Sequence, residues 1–110
     1  MSERVLPGHH WGLPDHTIDS LRAVFATHQE IDQVLIYGSR AKGTERTGSD
    51  IDLAATGPRM SLQMILKIES EIDDLLLPYK VDLCLLAQIE NPALLEHIQR
   101  VGEVFFERPS

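Results

Sequence analysis

The sequence predicts a small α/β domain. Three observations carry that prediction. Segments with helical apolar spacing alternate with short apolar runs of strand length, proline and glycine stand at the boundaries between them, and 110 residues with 43% hydrophobic content suffice for one core. Ile18, Leu21, Val24 and Phe25 recur at helical spacing after Pro14, so residues 16–28 read as an amphipathic helix with Asp15 or Thr17 as its cap. Val34-Leu35-Ile36-Tyr37 is an apolar run that fits a buried strand, and it ends at Gly38. Residues 50–56 form a second strand closed by Gly57-Pro58. Ser61 then caps a long helix whose inner face is read as Leu62, Ile65, Leu66, Ile72, Leu75 and Leu76, ending before Pro78. Residues 80–86 make a third strand. Asn91, Pro92 and Gly102 stand where a cap, a first-turn proline and a terminating glycine are favoured, which brackets a last helix containing Leu94, Leu95, Ile98 and Val101. Val104-Phe105-Phe106 is the final strand. Residues 1–13 read as a flexible extension, 14–107 as the single domain, and 107–110 as a ragged end.

Charge narrows the function classes. A net charge of −7 and a pI near 5.1 oppose a general grip on nucleic acid, whose affinity comes from Lys and Arg neutralising phosphates. Direct nucleic-acid binding is therefore disfavoured. Cys84 is the single cysteine, so no internal disulfide forms, and no apolar run is long enough to span a bilayer. With no basic-then-apolar leader in the sequence, a cytoplasmic protein away from membranes is expected. His9 and His10 fall in the terminal extension. His16, His28 and His97 are too scattered to suggest a metal cluster, and Cys84 reads as core packing.

The chemistry concentrates in YGSRAKGTERTGSDIDLAATG, residues 37–57. Gly38 and Gly43 have the spacing of P-loop glycines, but Thr44 follows directly where that loop needs Lys and then Ser or Thr. A dinucleotide fingerprint is absent, and an EF-hand fails because Ala54 and Ala55 follow the aspartates. There remain a strand ending in Gly38-Ser39, an interval of ten residues, and Asp50-Ile51-Asp52. Side chains alternate along a strand, so Asp50 and Asp52 project from one face about 7 Å apart while Ile51 and Leu53 face the core. Two neighbouring carboxylates repel, and hard oxygen ligands with room for water favour Mg²⁺, or Mn²⁺, between them. Asp82, in an otherwise apolar strand, joins the same face if strands two and three are neighbours. The glycine turn and the N–H groups after it suit a phosphate, with Arg40 and Lys42 adding positive charge nearby. A triphosphate held there presents its α-phosphorus to metals held by the aspartates, which is the arrangement of nucleotidyl transfer.

Gly38-Ser39, ten residues, Asp50-x-Asp52 and the later Val81-Asp82-Leu83 together resemble the DNA polymerase β-like nucleotidyltransferases, and the short chain resembles their minimal branch. The resemblance covers roughly residues 14–107. It implies a small mixed-sheet nucleotidyltransferase fold flanked by helices, two Mg²⁺ ions at Asp50 and Asp52 with Asp82 completing the site, and triphosphate contacts from Gly38 and Ser39. Similar minimal proteins are antitoxins of HEPN-domain toxins, transferring AMP from ATP to a tyrosine of the toxin. That makes ATP and a HEPN protein the implied partners. The competing reading is a non-catalytic antitoxin that keeps the fold and neutralises its partner by occlusion.

Overall fold

A computed structural model of the protein describes residues 10–46 and 48–109. The elements, in order, are α1 (Asp15–Ala26), β1 (Gln33–Tyr37), α2 (Gly38–Lys42), β2 (Ile51–Thr56), α3 (Leu62–Asp73), β3 (Val81–Leu85), a 3₁₀ turn (Leu86–Gln88), α4 (Pro92–Val101) and β4 (Glu103–Glu107). The four strands form one sheet in the order β3-β2-β1-β4. β1 runs antiparallel to both β2 and β4, whereas β2 and β3 are parallel. A parallel pair cannot be joined by a tight turn, and α3 is the crossover between them. The sheet is thus mixed and flanked by helices, as the sequence predicts.

Alternation along the strands sorts side chains onto two faces. Val34 and Ile36 of β1, Ile51, Leu53 and Ala55 of β2, Leu83 and Leu85 of β3 and Phe105 of β4 share one core with Ile18, Leu21 and Phe25 of α1 and Ile65, Ile68 and Ile72 of α3. Phe25 meets Phe105 edge-on, with ring centroids 6.2 Å apart. The opposite face is covered by α4, where Ile98 packs with Tyr37 and Ala54, flanked by Leu35, Cys84 and Leu94. Both outer strands are guarded by a side chain from a helix. Arg22 Nε donates to the Phe105 carbonyl at 2.8 Å, and the Glu69 carboxylate accepts the Leu83 N–H at 3.4 Å. Such contacts occupy strand groups that would otherwise pair with another chain.

The caps at the two later helices follow the sequence. The Ser61 hydroxyl accepts the Met64 N–H, and the Asn91 side chain accepts from Ala93 and Leu94 with Pro92 in the first turn. α1 differs, because Pro14 occupies its cap position with no side-chain bond. The inner face of α3 matches the expected one in part, since Ile65 and Ile72 are buried and Leu75 packs against the core, while Leu62, Leu66 and Leu76 do not belong to it and Ile68 does. Ile65, Ile68 and Ile72 are buried, at three- and four-residue steps, while Leu62, Leu66 and Leu76 are 55%, 59% and 87% exposed. A β-branched isoleucine stripe provides the contact, Leu62 and Leu66 fall beside it, and Leu76 lies beyond the helix end.

Both ends of the domain reach further than expected. Residues 1–9 lie outside the described residues, but residues 10–13 are not a loose extension, since Trp11 and Leu13 are in the core. The Trp11 ring lies 5.2 Å from that of Phe105, and its Nε1–H donates to Glu103 at 3.0 Å. Arg108, placed by sequence in a ragged end, donates from its backbone to Asp32 O and from its guanidinium to the carbonyls of His28 and Ile31, at 2.7 and 2.9 Å. An arginine fork satisfies the backbone carbonyls left over just after α1.

Candidate active site

The site is built by strand register. Tyr37 of β1 is the partner of Asp52 on β2, and Asp52 is the partner of Asp82 on β3, so the three residues form one row across the sheet. They share parity with Leu35, Ala54 and Cys84, which places the row on the face covered by α4. Asp50 stands two residues before Asp52, just ahead of the strand, and is exposed. Of the three predicted carboxylates, the sheet itself pairs Asp52 with Asp82, and the turn into β2 adds Asp50.

Electrostatics reflect this crowding. The Asp52 carboxyl is pushed above the ordinary carboxylate value, first by burial and then by the charges of Asp82 and Asp50, with His97 and Lys80 acting in the opposite direction. The three aspartates therefore form one electrostatic unit in which burial and mutual repulsion outweigh the opposing influence of His97 and Lys80. Among the described residues, no group of three or more His, Cys, Asp or Glu side chains closes around a single point. A partial set of hard oxygen donors suits Mg²⁺, which keeps several waters and takes further ligands from substrate phosphates. The residues present fit such an ion.

Gly38 explains itself by space as well as by angle. Its φ is +76°, a conformation that side-chain-bearing residues rarely adopt, and a Cβ at this position would overlap the Asp52 carboxylate. A side chain at residue 38 would be strained by that angle and would displace the Asp52 carboxylate from where it lies. Ser39 follows, half-buried, in the first turn of α2. The Gly38 N–H itself is engaged, donating to His97 Nε2 at 3.1 Å.

Arg40 and Lys42, expected near the phosphates, part ways. Arg40 is 3% exposed. Its Nη1 donates to the carbonyls of Trp11 and Gly12 at 3.1 and 3.3 Å, and its Nε and Nη2 converge on that of Ser49 at 3.2 and 2.9 Å. The guanidinium also lies 5.1 Å from the Tyr79 ring centroid. A fork spent on three backbone carbonyls and an aromatic face is a structural clamp, and it holds the residue next to Asp50 rather than a phosphate. Lys42 stays exposed at the end of α2.

His97 is the residue that the sequence does not reveal. It sits on α4, half-buried, with its ring edge-on to Tyr37 at 6.2 Å. Nothing in the primary structure links it to a glycine 59 residues away. A histidine one step from the inward-facing Ile98 was the only available hint. Beneath it, the Tyr37 hydroxyl lies 3.6 Å from Cys84 Sγ, and burial raises the pKa of both groups. Both stay protonated at neutral pH, so Cys84 is a packing residue with a weak hydrogen bond and no nucleophile.

Comparisons with known proteins agree with this geometry. The family model described as Polymerase beta, Nucleotidyltransferase matches residues 19–110. A crystal structure of a toxin–antitoxin with AMP-PNP superposes with a TM-score of 0.64 at 19% identity, over 84% of this chain and 73% of that one. The MntA–HepT toxin–antitoxin gives 0.63 at 14% identity, over 84% and 72%. The complex of a tri-AMPylated Shewanella oneidensis HEPN toxin with its MNT antitoxin gives 0.62 at 14%, over 84% and 71%. At such identities the likeness concerns the fold. No curated protein matches the chain by sequence. The family match runs through every strand and through the glycine turn and all three aspartates, and the chain belongs to the polymerase β-type nucleotidyltransferase family.

Proposed function

We propose that the protein transfers AMP from ATP to a hydroxyl, a tyrosine in the simplest case, of a HEPN-domain partner, and thereby acts as its antitoxin. The observation that carries the reading is the row of Asp52 and Asp82 set against a positive-φ glycine turn that runs directly beside the Asp52 carboxylate. Asp50, Asp52 and Asp82 would hold Mg²⁺, which when bound neutralises phosphate charge and favours loss of pyrophosphate. The Gly38-Ser39 turn orients the triphosphate. The tyrosine oxygen attacks the α-phosphorus, the α–β phosphoanhydride bond breaks, and pyrophosphate leaves while AMP stays on the oxygen. Asp82, exposed on the edge strand β3, is the carboxylate proposed to accept the hydroxyl proton.

The described elements pack into one small core, and an acceptor that brings its own docking surface is part of the proposal. A net charge of −7 favours a folded protein over RNA or DNA as that acceptor. Among the structural relatives, one is a complex with AMP-PNP and another pairs an MNT antitoxin with an AMPylated HEPN toxin, which supports both nucleotide and partner class. No described helix is long and apolar enough to cross a membrane, and a cytoplasmic setting is part of the proposal. Intact-mass spectrometry of the co-expressed partner tests it. Wild type adds one or more AMP units, and EDTA or Asp50→Ala abolishes the addition. An unmodified partner whose toxicity Asp50→Ala still neutralises would establish occlusion in place of catalysis.

A further inference from the structure

The Gly38 backbone nitrogen can only donate, so His97 Nε2, at 3.1 Å, accepts, and the neutral ring carries its proton on Nδ1. The same ring stands edge-on to Tyr37, the residue just before the glycine and the register partner of Asp52. One imidazole from α4 therefore touches both residues that flank the peptide bond leading into the turn. Packing alone does not ask for this side chain. α4 is anchored on its sheet face by Ile98 and Leu94, and an apolar ring at 97 would fill the space beside Tyr37 without accepting a hydrogen bond.

We propose that His97 is a positioning residue for nucleotide: by accepting the Gly38 N–H it fixes the peptide plane at the turn and so aims the Ser39 amide and hydroxyl beside Asp52. The inference rests on the proposed nucleotidyl transfer and deepens it. Because the Gly38 N–H is already bound, the turn's polar contact with a triphosphate passes to Ser39, and Gly38 contributes its missing side chain.

Two substitutions separate acceptor from bulk. His97→Phe keeps a ring against Tyr37 and loses the acceptor, whereas His97→Gln loses the ring and keeps an acceptor oxygen. Calorimetric titration with Mg·AMP-PNP is expected to show affinity falling about tenfold in His97→Phe and staying within about threefold of wild type in His97→Gln. Thermal melting should not follow that order. Affinity unchanged in His97→Phe, or lost equally in both variants, overturns the inference while leaving the proposed function standing. Wild type that binds no Mg·AMP-PNP removes the proposed function and this inference with it. The ¹⁵N spectrum of wild type gives a test independent of folding in the variants: His97 Nε2 is expected to be the unprotonated nitrogen, and a proton on Nε2 refutes the hydrogen bond on which the inference stands.

Discussion

The two faces of the sheet use the same strands for opposite purposes. Toward α1 and α3, the strands present Val34, Ile36, Ile51, Leu53, Leu83 and Phe105, all at most 4% exposed. Toward α4, the intervening positions are Tyr37, Asp52, Ala54, Asp82 and Cys84, a mixture of small, polar and charged groups. The first face has two twelve-residue helices over it, the second a single helix of ten. Stability is concentrated where the cover is complete. The carboxylates occupy the face that the shorter cover leaves reachable, and the strands need no special geometry to serve both ends, since a period of two already separates core from chemistry.

Substitution on the closed face should be the costliest for folding. Phe25 is fully buried and touches Phe105 edge-on, so Phe25→Ala removes a large aromatic and leaves a cavity that the sheet cannot collapse to fill. A loss of about 3–5 kcal/mol is expected from urea unfolding. If the two faces are energetically separate, Mg·AMP-PNP affinity extrapolated to fully folded protein stays near wild type. A large affinity loss in the folded fraction would mean that the closed core also shapes the site.

Arg40 joins the two regions and gives a smaller effect. Arg40→Met keeps the buried stem but orphans the carbonyls of Trp11, Gly12 and Ser49, for an expected cost of about 2 kcal/mol. Because Ser49 adjoins Asp50, the variant should also bind Mn²⁺ more weakly than its stability loss alone explains. Mn²⁺ titration followed by paramagnetic broadening checks this. Equal metal affinity in the two proteins would confine Arg40 to folding.

How much of this was legible in the sequence depends on the range of the interaction. Asp50, Asp52 and Gly38-Ser39 were readable because alternation along one strand and the conformational range of glycine are local properties. Asp82 was readable once β2 and β3 were taken as neighbours, which their parallel register bears out. The turn after β1 needs basic residues for no local reason, and so Arg40 was assigned to phosphates when its partners in the structure are the carbonyls of Ser49 and of a segment 28 and 29 residues earlier. His97 was invisible for the same cause. Trp11, Leu13 and Arg108 were assigned to loose ends because nothing periodic surrounds them, although burial and carbonyl capping hold them in place. On α3 the sequence reading found Ile65 and Ile72 but added Leu62, Leu66 and Leu76 and passed over Ile68, because hydrophobicity was counted without the choice among several apolar stripes.

The smallest expected effect has the opposite sign from the others and tests the open face directly. Burial and the charges of Asp82 and Asp50 raise the Asp52 pKa above its ordinary value of 3.8 in the folded protein. Between that value and the raised one, the native state holds more protons than the unfolded chain, so stability falls as pH climbs through the window and remains reduced above it. Asp52→Asn removes the carboxylate. In EDTA, the variant should therefore be more stable than wild type at neutral pH, by at most about 1 kcal/mol because the group is partly open to water. The gain should shrink to nothing below the ordinary carboxylate range, where Asp52 is protonated in both states. Urea unfolding at a series of pH values checks the sign. Adding Mg²⁺ should then reverse the ranking, since an ion that binds the native wild type raises its stability and finds one carboxylate fewer in the variant. A variant less stable than wild type in EDTA would mean that favourable partners of Asp52 outweigh its burial and the repulsion of the other carboxylates.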